Sequence, residues 1–344
     1  MEGRCYQYKD LVGSDVLAGF SEGGRQMKRL ISFLLAFSLL IVLCSCELSY
    51  QAPAVGKIHI LVYGNDYYYE GHNPSIVRFE DGSKYDGVAR KLNGTVSDAV
   101  EVGKALCALA EKAGHKDSVD ITYLTDFDHT DLSSFETAIG SISADSSAND
   151  VTILYFSCHG LYLRGKGTRV DYGTDITDEA FIVFRNDEHP YENVLYPISK
   201  VLSLIDDING TKVVFSDFCY SGAFVRPDYF SVTSGEYLGM DTALLFSEFR
   251  DDVSVDPSLY CLSASRYFEE SYEPGNSGHG KFTEALLEAL GWNEENECLK
   301  TAAAEKNGKI TLFELAKYVT ANDGESRQTP MLSGGSNDIV LFSF

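Results

Sequence analysis

Short, almost wholly apolar runs alternate along the chain with segments of helical spacing, and this limits the available folds more than any other feature. KIHILVYG (57–64), DITYLTD (120–126), DVTILYFSCHG (150–160), TKVVFSDFC (211–219) and SLYCLSAS (258–265) read as strands. TVSDAVEVGKALCALAEKAG (95–114), LSSFETAIGSIS (132–143), PISKVLSLIDDI (197–208), GKFTEALLEALG (280–291) and TLFELAKYVTAN (311–322) carry apolar residues at three- and four-residue intervals and read as helices. EAFIVF (179–184) reads as a small strand or hairpin arm, and 328–342 as a closing segment. Strands without a polar face need cover on both sides, so the pattern predicts an α/β fold: a mostly parallel sheet with helices on both faces. No repeat and no proline-rich linker divides the chain after residue 56. The irregular stretch 223–257 reads as a functional loop or a processing segment.

The start of the chain obeys different rules. Met27, the Lys28–Arg29 pair and an apolar run from Leu30 to Leu43 precede Cys44-Ser45-Cys46, which is the order of a secretory signal. The run is shorter than the roughly 20 residues that span a bilayer. LCSC resembles a bacterial lipobox, which predicts lipidation of Cys46 and attachment to a bacterial cell envelope, on the periplasmic or outer-membrane face. An uncleaved membrane anchor is the other reading. Residues 1–26 read as an extended start or an unstructured preface. The expected organisation is therefore a leader over 1–46, a tether over 47–56 and one folded domain over 57–344. The net charge is −23, and residues 1–46 hold five basic and four acidic residues, so the acidity belongs to the domain. That charge argues against nucleic acid and against an anionic membrane surface as partners, leaving the lipid as the only membrane contact. Cys107, Cys158, Cys219, Cys261 and Cys298 show no paired spacing, which suggests neither a zinc site nor a disulfide framework.

Two predicted strands end in reactive residues. His159-Gly160 closes one and Cys219 closes another, and in parallel sheets ligands bind beyond the carboxyl ends of strands. A thiol nucleophile needs a base and donors for an oxyanion. Gly160 has no Cβ to keep a backbone N–H from a substrate carbonyl, and the Cys219 N–H is a natural second donor. Residues two apart share a strand face, so Asp217 lies on the side of Cys219 and Ser157 on the side of His159. A carboxylate in an apolar strand calls for a bound cation. It also raises the pKa of the neighbouring thiol, whereas a protonated His159 would lower it. Cys158 points away from His159 and reads as a small core thiol, with a redox switch as the alternative. His279, in SGHGKF, reads as a surface or rim residue.

YFSCHG and DFCYSG resemble the two catalytic motifs of the caspase-like cysteine peptidases, especially the metacaspase and bacterial branches. LVYGNDYYY, LNGTVSDAVEVGKAL, LSASRYFEESYE, GKFTEALLEAL and GKITLFELAKYV are similar to further stations of that family in the same order. The resemblance covers about 57–342. It implies a three-layer α/β/α sandwich with about six strands, Cys219 as nucleophile, His159 as acid–base, and the Gly160 and Cys219 amides as oxyanion donors. It also implies that Asp98, Ser157 and Asp217 form a pocket for Arg or Lys at P1, the residue before the scissile bond. No arginines stand there to receive an Asp. The partners implied are protein or peptide substrates with basic P1 residues. The chemistry needs no cofactor. Calcium is the activator to test, since Asp171, Asp175, Asp178 and Glu179 form an acidic cluster whose first reading is a solvated loop. Arg250 is the candidate self-processing site. Two other functions stay open: a non-catalytic envelope lipoprotein that binds through its acidic cleft, and a transpeptidase using the same Cys–His pair.

Overall fold

The computed structural model describes residues 56–163, 179–225, 258–275, 278–324, 327–333 and 339–344. The signal segment with Cys46, the acidic residues Asp171, Asp175 and Asp178, and Arg250 lie outside the described residues. Val55–Phe344 forms one compact unit. Its elements run β1 (Ile58–Gly64), β2 (Ser75–Phe79), β3 (Lys84–Ala89), α1 (Thr95–Lys112), β4 (Val119–Leu124), α2 (Leu132–Asp145), β5 (Val151–Ser157), β6 (Gly160–Leu163), β7 (Glu179–Arg185), β8 (Asn193–Pro197), α3 (Ile198–Asp206), β9 (Thr211–Asp217) and β10 (Leu259–Ser263). There follow α4 (Lys281–Leu290), β11 (Trp292–Asn293), β12 (Cys298–Leu299), β13 (Glu305–Lys306), β14 (Lys309–Thr311), α5 (Leu312–Asn322), β15 (Met331–Ser333) and β16 (Val340–Ser343).

The central sheet has six strands in the order β15-β10-β9-β5-β1-β4, all parallel except β15. The apolar runs alternate their side chains between two cores. Ile60, Val62, Ile153, Tyr155, Val213 and Phe215 face α1, α4 and α5, where Val102, Leu106, Leu286 and Leu315 cover them. Leu61, Tyr63, Leu154, Phe156 and Val214 face the other way, onto Phe135 and Ile139 of α2 and Val201 and Ile205 of α3. The expected α/β/α layering and six-stranded sheet are what the chain forms.

A second sheet was not anticipated. Its order is β3-β2-β8-β7-β6, and Phe181, Val183 and Phe184 of β7 enter the α2/α3 core. Only β7 reads as a strand in the sequence. β2, SIVRF, buries alternate residues, β3 alternates exposed and half-buried residues, and β8 ends in Pro197. Short, half-polar strands carry a weaker signal than the apolar runs of the main sheet. The second sheet matters for position, because β6 begins at Gly160, immediately after His159.

Candidate active site

The pairing of β5 with β9 aligns Ser157 with Asp217, so the two strands end side by side and their following residues share one crevice. Gly160 shows how close the tips come. A Cβ there would lie 2.0 Å from the Cys219 carbonyl oxygen and 2.6 Å from the Phe218 ring. The sequence predicts a glycine for substrate access, and the structure adds a reason internal to the fold.

His159 and Cys219 are both half-buried, and each is held by a backbone carbonyl rather than by the other. His159 Nε2 lies 2.7 Å from the Arg90 carbonyl oxygen, and Cys219 Sγ is 3.8 Å from that of Ser271. A carbonyl can only accept, so His159 carries its proton on Nε2 and keeps the Nδ1 lone pair. Tyr67 braces the loop. Its hydroxyl accepts from the His159 N–H (2.9 Å), donates to the Val183 carbonyl (2.6 Å), and its ring packs 4.5 Å from the imidazole. Tyr67 and Tyr220, the residue after Cys219, both have positive φ (57° and 66°), a conformation that costs a non-glycine residue about 1 kcal/mol or more. Burial lowers the His159 pKa and raises that of Cys219 to about 11. The resting pair is therefore a neutral imidazole and a neutral thiol, not the protonated histidine that would lower the thiol's pKa.

Beneath this pair the three predicted pocket residues do come together. Asp98, in the first turn of α1, is 1% exposed, Ser157 2% and Asp217 5%. Ser157 Oγ donates to Asp98 Oδ2 at 2.8 Å. Asp217 Oδ2 accepts from the Thr283 N–H (3.1 Å) and hydroxyl (2.6 Å), and the Ser271 hydroxyl also holds this carboxylate. Burial, then the charge of Asp98, pushes the Asp217 pKa to about 7. Burial raises that of Asp98 as well.

His279 corrects the sequence reading. It is 9% exposed, not a surface residue, and its Nδ1 lies 2.7 Å from Asp98 Oδ1 while its Nε2 lies 3.0 Å from Glu294 Oε2. The Asp98 bond raises its pKa to about 9, so the imidazole is a cation at neutral pH. The Gly280 N–H also reaches Asp98 Oδ2 at 3.3 Å, and a Cβ on Gly280 would lie 2.2 Å from Asp217 Oδ2. The amino end of α4 thus closes on both carboxylates, as the helix dipole favours. HGKFT in the sequence held this information only as a second His-Gly pair. Tyr67, the Arg90 carbonyl, Ser271 and Thr283 left no signal, because their roles come from loops brought in over long chain distances.

Cys158 is a buried thiol whose pKa lies well above the usual range because of burial, as a core residue requires. Glu179, the described member of the acidic cluster, accepts from Ser199 Oγ at 2.6 Å. Among the described residues one group has the spacing of metal ligands, His59, Asp120 and Asp145, at the amino-terminal edge of the central sheet and far from these strand tips. There the Lys57 ammonium already bridges Asp120 (2.8 Å) and Asp145 (2.6 Å).

Comparison with known proteins agrees with this architecture. The caspase-domain family model matches residues 81–337. The Geobacter sulfurreducens protein GSU0716 has a similar crystal structure, with a TM-score of 0.50 and 19% identity, over 84% of this chain and 97% of its own. Caspase-1 from Spodoptera frugiperda aligns with a TM-score of 0.42 and 12% identity, over 84% and 90% of the two chains. No curated protein matches the chain in sequence. A family model spanning most of the chain, on a sheet whose adjacent strands β5 and β9 are followed two residues on by His159 and Cys219 respectively, leads to one conclusion: the chain belongs to the caspase-domain family of cysteine peptidases.

Proposed function

We propose that the chain is a cysteine endopeptidase cleaving after Arg or Lys, with Cys219 as nucleophile and His159 as acid–base. The observation that carries this reading is the adjacency of the β5 and β9 ends, with two buried carboxylates directly beneath them. His159 Nδ1 takes the thiol proton as Cys219 Sγ attacks the scissile carbonyl. The Cys219 and Gly160 amides receive the oxyanion, and His159 returns the proton to the leaving amine. Water then hydrolyses the thioester, with His159 as base. Asp217, with Asp98 and Ser157, attracts the cationic P1 side chain. The Met27–Cys46 pattern supports export and lipid attachment at Cys46 as the setting for this activity.

The test compares fluorogenic peptides ending in Arg, Lys or Asp. Hydrolysis of the basic pair is expected, with a loss of at least about a thousandfold in Cys219→Ala. Equal rates in that variant would remove the mechanism, and preference for Asp would remove the pocket. A binding module is favoured by one observation, the absence of a bond between the thiol and the imidazole. It predicts peptide binding without turnover in the wild type.

A further inference from the structure

The pocket contains a cation of its own. His279 sits on Asp98 Oδ1, and Glu294 holds its other nitrogen at the rim. Asp98 Oδ2 is engaged by Ser157 and Gly280, so every oxygen of that carboxylate has a partner from within the chain. The groups whose bonds to His279 are seen among the described residues include Asp98 from α1 and Glu294 from the turn after β11. Those facing Asp217 are Asp98, Tyr155, Cys158 and Cys219.

We propose that His279 is a positioning residue that acts through Asp98: as a built-in counter-ion it claims that carboxylate and leaves Asp217 alone to receive the substrate's basic side chain. The proposal rests on the basic-P1 reading above and deepens it. Asp98 is held against the His279 cation, and its charge opposes ionisation of Asp217. With Asp217 protonated, the two charges left beside it, Asp98 and His279, offset each other, Glu294 lies out at the solvent-facing rim, and a substrate cation gains little. Binding a basic P1 side chain therefore requires Asp217 to lose its proton, which happens around pH 7. Without His279, the first proton to leave the Asp98–Asp217 pair already provides the needed negative charge. That first ionisation meets no charged neighbour and occurs at lower pH. Removing the histidine should improve basic-substrate binding in mild acid, which loss of a structural contact would not do.

The experiment measures KM for an Arg-P1 peptide at pH 6 and pH 8 in the wild type, His279→Gln and Glu294→Gln. In the wild type KM is expected to be about tenfold higher at pH 6, since one unit below a pKa leaves about a tenth of the group ionised. His279→Gln should reduce that ratio to under about threefold. Glu294→Gln, which leaves the imidazole on Asp98, should keep the wild-type ratio. An unchanged ratio in His279→Gln, or the same change in both variants, overturns the proposal. Should His279→Gln fail to fold, the imidazole proton signals of the wild type decide. His279 must stay protonated to about pH 9, and a midpoint below 7 overturns the proposal. No hydrolysis of Arg or Lys peptides by the wild type removes the basic-P1 reading and this inference with it, whereas hydrolysis with an unmoved ratio removes only the role of His279.

Discussion

Burial opposes the charged forms of both His159 and Cys219, so in the proposed mechanism the imidazole acts as a true base during attack and not as half of a preformed ion pair. Gly160 is the residue on which their juxtaposition depends. Its missing side chain is what allows the His159 loop to lie against the Cys219 carbonyl, and that contact is with backbone, which cannot swing aside. Gly160→Ala is expected to cost about 1–3 kcal/mol of stability and at least a hundredfold in kcat/KM, read by urea unfolding and peptide hydrolysis. Unaltered kinetics would mean that the loops do not need this closeness. Asp217 shows the opposing demands of stability and function. Its pKa of about 7 lies above the 3.8 of an exposed aspartate, so the folded chain holds the proton more tightly than the unfolded one. Stability from this group therefore falls as pH rises from about 4 to 7, and above pH 7 the full penalty is present. Asp217→Asn should raise stability at pH 8 by a few kcal/mol, on the order of 2–4, and change it little at pH 4. The same variant should lose basic-peptide hydrolysis.

At the scale of elements, the site is a junction of two sheets. β5 and β9 bring the reactive residues to one edge, while β6 and β7 hold the far side of His159 through the Val183 N–H to its carbonyl oxygen at 3.1 Å. Tyr67 ties the loop after β1 to both. Tyr67→Phe would leave the His159 N–H and the Val183 carbonyl without their shared partner, a loss of about 1–3 kcal/mol. A fall in kcat with KM within twofold is the expected kinetic result, because the tyrosine orients the base and does not touch the pocket. A purely KM effect would contradict that assignment. The strands of the central sheet were legible because continuous apolar runs have one stable solution. β2, β3 and β8 were not: β2 and β3 alternate in burial and look like loops until a neighbouring sheet covers them, and β8 is a five-residue run that begins with Asn193 and ends in Pro197.

For the whole molecule, the relevant property is charge. A net −23 draws cationic peptides from a distance and does so through a field that salt screens. Raising ionic strength from about 0.05 to 0.5 M should lower kcat/KM for a dibasic peptide several-fold and leave kcat nearly constant. A salt-independent kcat/KM would confine recognition to the buried carboxylates. The strand tips, the nearness of His159 to Cys219 and the carboxylate at position 217 could be read in the sequence, because strand alternation and parallel topology place such residues locally. The carbonyl of Arg90, the hydroxyls of Thr283 and Ser271, and above all the imidazole of His279 could not. His279 lies 181 positions from Asp98 along the chain, and nothing nearby in sequence distinguishes it from a surface histidine. Sequence alone determined which groups could react, since that depends on residue type and on the period of one strand. Only the tertiary structure decided which charges meet, because burial and pairing depend on segments that touch after the chain has folded.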